Sequence, residues 1–162
     1  MTATAESLFV TVALKSWDVW LTRLDKILDA LTDEQLESPV VPGRNRAFYI
    51  YGHLIAVNDS MIPQLRLGDP LFPEFAETFI KQPDRAATIY PTTIQLRQSW
   101  KDLNRQLSEL LPQLSPTAWL ERHATVSEED FAKEPHRNRL AVLLSRTSHL
   151  SYHLGQLQLR EK

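Results

Sequence analysis

His149 and His153 stand four residues apart in Ser148-His149-Leu150-Ser151-Tyr152-His153-Leu154-Gly155-Gln156. On a helix that spacing places both imidazoles on one face, one above the other, close enough to reach a single metal ion. A third histidine, His53, lies far upstream in the apolar stretch Tyr51-Gly52-His53-Leu54-Ile55, where an unpaired imidazole would be expensive to bury. Three imidazoles without a thiolate describe a divalent-metal centre with coordination positions left for water or substrate. Imidazole accepts zinc, nickel, copper or iron(II), so the donor set does not choose among them. In such a centre a bound water becomes hydroxide near neutral pH, and the same open position could hold and deprotonate a substrate thiol.

The general base is not written beside the ligands. Zinc proteases of the His-Glu-x-x-His type carry a glutamate directly after the first histidine, and here that residue is Leu150. Asp59 and Tyr152 are candidates for acid–base work, against the plainer readings of a surface charge and a core aromatic. His123 and His136, in the polar segment before the last helix, read as solvated loop histidines, and the catalytic residues are left unassigned. Gly155 costs the last helix roughly 1 kcal/mol relative to alanine, and close approach of a neighbouring backbone or of the Gln156 side chain would explain it.

Four segments of helical period must position these residues. Leu14, Trp17, Leu21, Leu24, Leu28 and Leu31 repeat at steps of three and four, the stripe of a bundle helix. Thr32 and Gln35 have the spacing of a capping box, which predicts a short helical turn before Ser38-Pro39. Residues 39–45 read as an extended connection. A second helix is expected over about residues 46–65, with Ile50, Leu54, Val57, Met61 and Leu65 inward and Pro63 kinking it or ending its regular part.

Between Gly68 and Pro91 the chain carries Pro70, Pro73 and Pro83 as well. That spacing predicts a long loop, with one helical turn near residues 75–80, and loops of that length in small domains are often functional. Leu96, Trp100, Leu103, Leu107 and Leu110 mark the third helix, which Pro112 stops. Ser115-Pro116 has the pattern of an N-cap followed by proline at the first helical position, and Glu121–Arg137 reads as a polar stretch without periodicity. The last helix is expected from near Arg137 almost to the C-terminus. Its core stripe is Leu140, Leu143, Thr147, Leu150, Leu154 and Leu157, and a second stripe of His149, His153 and Gln156 is rotated from it by about 100°. Trp17, Trp20, Trp100 and Trp119 read as core and capping aromatics.

Composition narrows the function classes. The 162 residues, 43% hydrophobic and 23% charged, fit one globular domain over 1–162. Eighteen basic and twenty acidic side chains are mixed along the chain, so no basic block supports nucleic-acid binding. The lack of cysteine excludes a disulfide scaffold, a cysteine nucleophile and thiolate ligands; any thiol must arrive with a substrate. No apolar run approaches the ~20 residues of a membrane span, and the N-terminus lacks the pattern of a signal peptide, so a cytoplasmic protein is expected.

With these residues in place, the chain resembles the DinB-like superfamily of metal-binding four-helix bundles. The likeness rests on His53 in the second helix and on His149-x-x-x-His153-x-Gly155-Gln156 in the last. Leu31-Thr-Asp-Glu-Gln-Leu36 closing the first helix, followed by a Pro/Gly/Asn stretch, adds to it. The resemblance implies an all-α, up-down-down-up four-helix bundle with a long crossover loop, a homodimer, and zinc or nickel held by His53, His149 and His153. It also implies a small-molecule substrate: some members transfer a low-molecular-weight thiol such as bacillithiol or mycothiol to an electrophile, and others are assigned as metal-dependent hydrolases. Two positions depart from the family. The residue after the first histidine of the pair is often acidic and here is Leu150; the residue after the second is often basic and here is Leu154. The expected function is a metal-dependent enzyme activating a thiol or water for transfer to a small electrophile. The alternatives are a non-catalytic metal-binding stress-response or interaction module, and a metal-free structural bundle should the histidines lie apart.

Overall fold

Leucine stripes at helical spacing can be buried only against one another, and the protein does so in a helical bundle. The structure, a computed structural model, describes residues 4–160. Helix α1 (Ala5–Ala30) opens on an N-cap, Thr4, whose hydroxyl accepts from Ser7 N at 3.2 Å. Its stripe is inward, with Trp17, Leu24 and Leu28 buried. The short α2 (Asp33–Glu37) begins with the expected capping box: Thr32 N donates to Gln35 Oε1 at 3.0 Å and Gln35 N donates to Thr32 Oγ1 at 3.2 Å.

Residues 39–45 are not the extended connector their prolines suggest. The segment folds back on itself, with Val40 N donating to Asn45 O, Ala47 N donating to Ser38 O, and an isolated bridge between Pro39 and Arg46. Gly43, at φ +75°, supplies the left-handed residue of the turn.

Helix α3 (Ala47–Asp59) is the centre of the molecule. Every one of its residues is buried except His53, which is half-buried. The regular helix stops at Asp59, before Pro63 is reached: Ser60 turns the chain, and α4 (Met61–Gln64) carries the proline within a further turn. The expected inward residues Ile50, Leu54, Val57, Met61 and Leu65 are all buried.

The proline-rich crossover is more helical than a loop. Its expected turn is present as α5 (Glu74–Ala76), continued by a π-helical turn over Glu77–Lys81. This segment packs on α3 and is tied down at both ends. The Asp59 carboxylate accepts from Leu71 N and Phe72 N, each at 2.8 Å. Beyond the π turn, Asp84 accepts from the backbone N of Arg46 at 2.8 Å and from its guanidinium at 2.6 and 2.9 Å, while Glu37 takes the other guanidinium nitrogen at 2.6 Å.

Helix α6 (Thr93–Leu110) packs on α3, and a single 3₁₀ turn over Leu111–Gln113, with Pro112, ends it. Trp100 Nε1 donates to Asp25 at 2.6 Å, and Arg97 donates to the carbonyls of Leu28 and Leu31, fastening α6 to the end of α1. Helix α7 (Pro116–Trp119) has the expected Ser115 N-cap. The polar stretch that follows does contain a helix, α8 (Glu128–Lys133), capped by Ser127 and with three acidic residues in its first turn. That local signal is independent of hydrophobic period, because none of its residues is buried.

Helix α9 (Arg139–Gln158) starts on the Asn138 cap and packs lengthwise against α1. Leu143, Thr147, Leu150, Leu154 and Leu157 are buried, with Leu140 at the margin. Leu150 and Leu154, the two departures from the family pattern, are therefore core residues. Among the described residues there is no strand, and no helix is long and apolar enough to cross a membrane.

Candidate metal centre

The core stripe of α9 faces α1, which turns the adjacent stripe toward α3. His53 from α3 meets His149 and His153 from α9 there, and the three offer ligand nitrogens all within 4.8 Å of one another. Nε2 of His149 lies 3.1 Å from Nε2 of His53 and 3.0 Å from Nε2 of His153.

The outer nitrogens decide which tautomers are present. Nδ1 of His53 donates to the carbonyl of Phe79 at 2.8 Å, and Nδ1 of His153 donates to Oε1 of Gln156 at 2.7 Å. Both rings therefore present an Nε2 lone pair. His149 can offer one proton to only one of them, so three imidazole nitrogens at this spacing leave a lone pair facing a lone pair. One cation would satisfy all three. Metal–nitrogen bonds of about 2.0–2.1 Å place two ligand nitrogens about 3 Å apart, the separation found here. Nδ1 of His149 is buried and has no protein partner among the described residues.

Electrostatics keep His149 and His153 neutral, the state a metal requires. Burial, followed by the fields of His153, His53 and Arg146, lowers His149 to about 3. Burial also lowers His153 to about 4, against the opposing bond to Gln156 and with help from His53.

The surroundings hold the His53 and His153 rings in place. Tyr49, one turn before His53, stacks on it at 6.4 Å between centroids and 12° between planes, and its hydroxyl donates to the Gln82 carbonyl at 2.6 Å. Gln156 Nε2 donates to the Tyr152 hydroxyl at 3.0 Å, so Tyr152 supports His153 through Gln156. A cavity of about 200 Å³ opens beside the rings, lined by Asn45, Tyr49, Ile50, His53, Ile80 and His153. Among the described residues no carboxylate or further histidine joins the three ligand nitrogens.

The two acid–base candidates exchange environments relative to expectation. Asp59 is buried and spends both carboxylate oxygens on the crossover backbone; burial raises it above the usual carboxylate value despite those two bonds. Tyr152 is exposed rather than a core aromatic. His123 and His136 lie away from the triad, in a separate cavity at the start of α9. At Gly155 a Cβ would find open space apart from its chain neighbours, so no approaching backbone of another segment accounts for the glycine.

Two contributors escaped the sequence reading. The Phe79 carbonyl is a backbone group and carries no residue signature. Gly52 is what allows it to approach, because a Cβ at that position would lie 2.4 Å from the Phe79 ring. Its only sequence trace is a glycine inside an apolar helical stretch.

A family model of the DinB superfamily matches residues 17–157, a span that includes all three histidines. The chain belongs to the DinB superfamily. No curated protein matches it.

Proposed function

We propose that His53, His149 and His153 bind a divalent metal ion through Nε2, zinc or nickel in first place, and that the protein is an enzyme acting on a small molecule there. The observation that carries this reading is the convergence of three Nε2 atoms, with the His53 ring oriented from behind by Phe79 O and the His153 ring by Gln156 Oε1. A divalent ion on three neutral imidazoles would supply Lewis acidity and lower the pKa of a water or thiol bound at its remaining positions. Tyr49 and Phe79 hold His53, Gln156 holds His153, and the walls of the adjacent cavity bind the small electrophile and limit water.

The half-exposed His53 and that cavity favour a reacting centre over a closed structural ion. Among the described residues no carboxylate joins the three histidines, which favours a nucleophile activated by coordination, a thiol before water. A homodimer completes the proposal. Phe9 and Val12 of α1 and Leu144 of α9 are exposed around an apolar groove of about 370 Å³, a surface suited to a second copy.

Elemental mass spectrometry on protein purified without a histidine tag tests the centre. Near-stoichiometric metal that disappears in His53→Ala and in His149→Ala/His153→Ala is expected. Thiol consumption against a chloronitrobenzene electrophile should then follow metal content. Metal retained in both variants ends the proposal; metal bound without turnover on thiol or water leaves a binding module instead.

A further inference from the structure

One turn before the histidines, α9 contributes to a second cluster assembled from three parts of the chain. Gln64 at the end of α4, His123 and His136 on either side of α8, and Arg137, Ser145 and Arg146 line a cavity of about 220 Å³. That is several times the roughly 30 Å³ share of a water molecule. No carboxylate is among these lining residues.

The two arginines differ in their surroundings. Arg137 is shared with Glu134 at 3.1 Å, an exposed pair that contributes little. Arg146 is half-buried, and its Nε has no acceptor among the described residues. Burial pushes its guanidinium below the usual value, and no carboxylate among the described residues offsets it. A guanidinium carries five N–H donors and no acceptor, so withdrawing it from water without a counter-charge is unfavourable. His123 adds a neutral donor: burial, then Arg137 and Arg122, lowers it, and the Thr125 hydroxyl sits 3.0 Å from its Nδ1.

We infer that this cavity is an oxyanion-binding site, holding the carboxylate or phosphate group of a small molecule on Arg146, with Arg137 and the His123 and His136 rings around it. The planar guanidinium fork matches either group in bidentate fashion. None of these residues belongs to the histidine triad, and the inference does not depend on a metal there. Arg146 precedes His149 by three residues, about 4.5 Å along the helix axis, and the cavity it lines shares no residue with the one beside the triad.

The test follows the imidazole resonances of His123 and His136 by NMR in the full-length protein, titrated separately with inorganic phosphate and with acetate. Saturable shifts with at least one anion are expected, and the anion that saturates names the group. Binding should weaken about tenfold or more in Arg146→Gln, the loss of a charge-assisted hydrogen bond. It should weaken in His136→Ala, an exposed position safe for folding, and stay unchanged in Arg105→Gln on the surface of α6. Shifts that persist after chelation place the anion in this cavity. Shifts that vanish on chelation place it on a metal and overturn the inference, as do non-saturating shifts or unchanged affinity in Arg146→Gln.

Discussion

The carbonyl of Phe79 accepts from Nδ1 of His53 at 2.8 Å, across 26 residues of chain, and so dictates which ring nitrogen faces the other two histidines. Phe79 lies in the last turn of a π-helical segment, where carbonyls have no following helical N–H to accept from. The approach is possible because α3 has glycine at residue 52: an added Cβ would lie 2.4–2.5 Å from three carbons of the Phe79 ring. That ring is fully buried among Phe48, Tyr49, Phe75 and Tyr90 and has nowhere to go.

Gly52→Ala is therefore expected to lower stability by about 1–3 kcal/mol, the cost of overpacking, and to weaken metal binding while leaving all three histidines in the chain. Chemical denaturation and a competitive chelator titration measure the two effects. An unchanged metal affinity would mean that the Phe79 carbonyl does not orient His53.

Gln156 plays the corresponding part for His153. Gln156→Leu keeps the approximate volume of a half-buried side chain but removes the acceptor at 2.7 Å. Loss of such a supporting bond typically costs about 10–100-fold in metal affinity. The drop should appear in the chelator titration with little change in the unfolding midpoint of the metal-free protein.

The metal-free protein should lose stability as pH falls. His149 and His153 are held to about 3 and about 4, below the ordinary 6.5, by burial first and by their charged-state neighbours second. Below 6.5 the unfolded chain takes up protons that the native state refuses, so the contribution present above 6.5 is lost progressively toward the folded values. Thermal unfolding after chelation should show a steeper decline between pH 7 and 5 than the same protein carrying His149→Gln/His153→Gln. Parallel curves would contradict the burial of these rings.

Arg46 fastens the crossover to the start of α3. Its side chain and that of Asp84 are each about nine-tenths buried, unlike the exposed pairs Lys81–Glu77 and Lys133–Glu129. Arg46→Met leaves Asp84 buried and unpaired, and about 3–5 kcal/mol of destabilisation is expected. Arg46→Met/Asp84→Leu should recover part of it, because the stranded charge is then gone; denaturant midpoints of the pair decide the point.

Gly155→Ala should go the other way. The position is exposed and helical, with open space where the methyl would stand. A gain of about 1 kcal/mol follows from helix propensity alone, or roughly 2–4 °C in the melting midpoint for a chain of this size.

The helices and the triad were legible in the residues because both are local patterns. Leucine at steps of three and four defines α1, α6 and α9, and His149 with His153 share a face as soon as the segment is helical. His53 was legible through cost, as an imidazole in a run that must be buried. Residues without periodicity were not. Helix α8 buries nothing, so no stripe announces it, and Pro39–Asn45 folds back through backbone bonds that its composition does not record.

What the sequence determined by itself is the all-helical class and the identity of three histidines able to share an ion. What tertiary structure alone decided is everything that depends on one segment approaching another. The Phe79 carbonyl reaches His53 only when the crossover packs on α3. Asp59 is spent on Leu71 and Phe72 rather than free to act as a base, and Arg146 comes to line one cavity with Gln64, His123 and His136. Helical period specifies which way a side chain points from its own axis; the neighbour it meets is set by how the axes pack, a long-range property that no window of sequence contains.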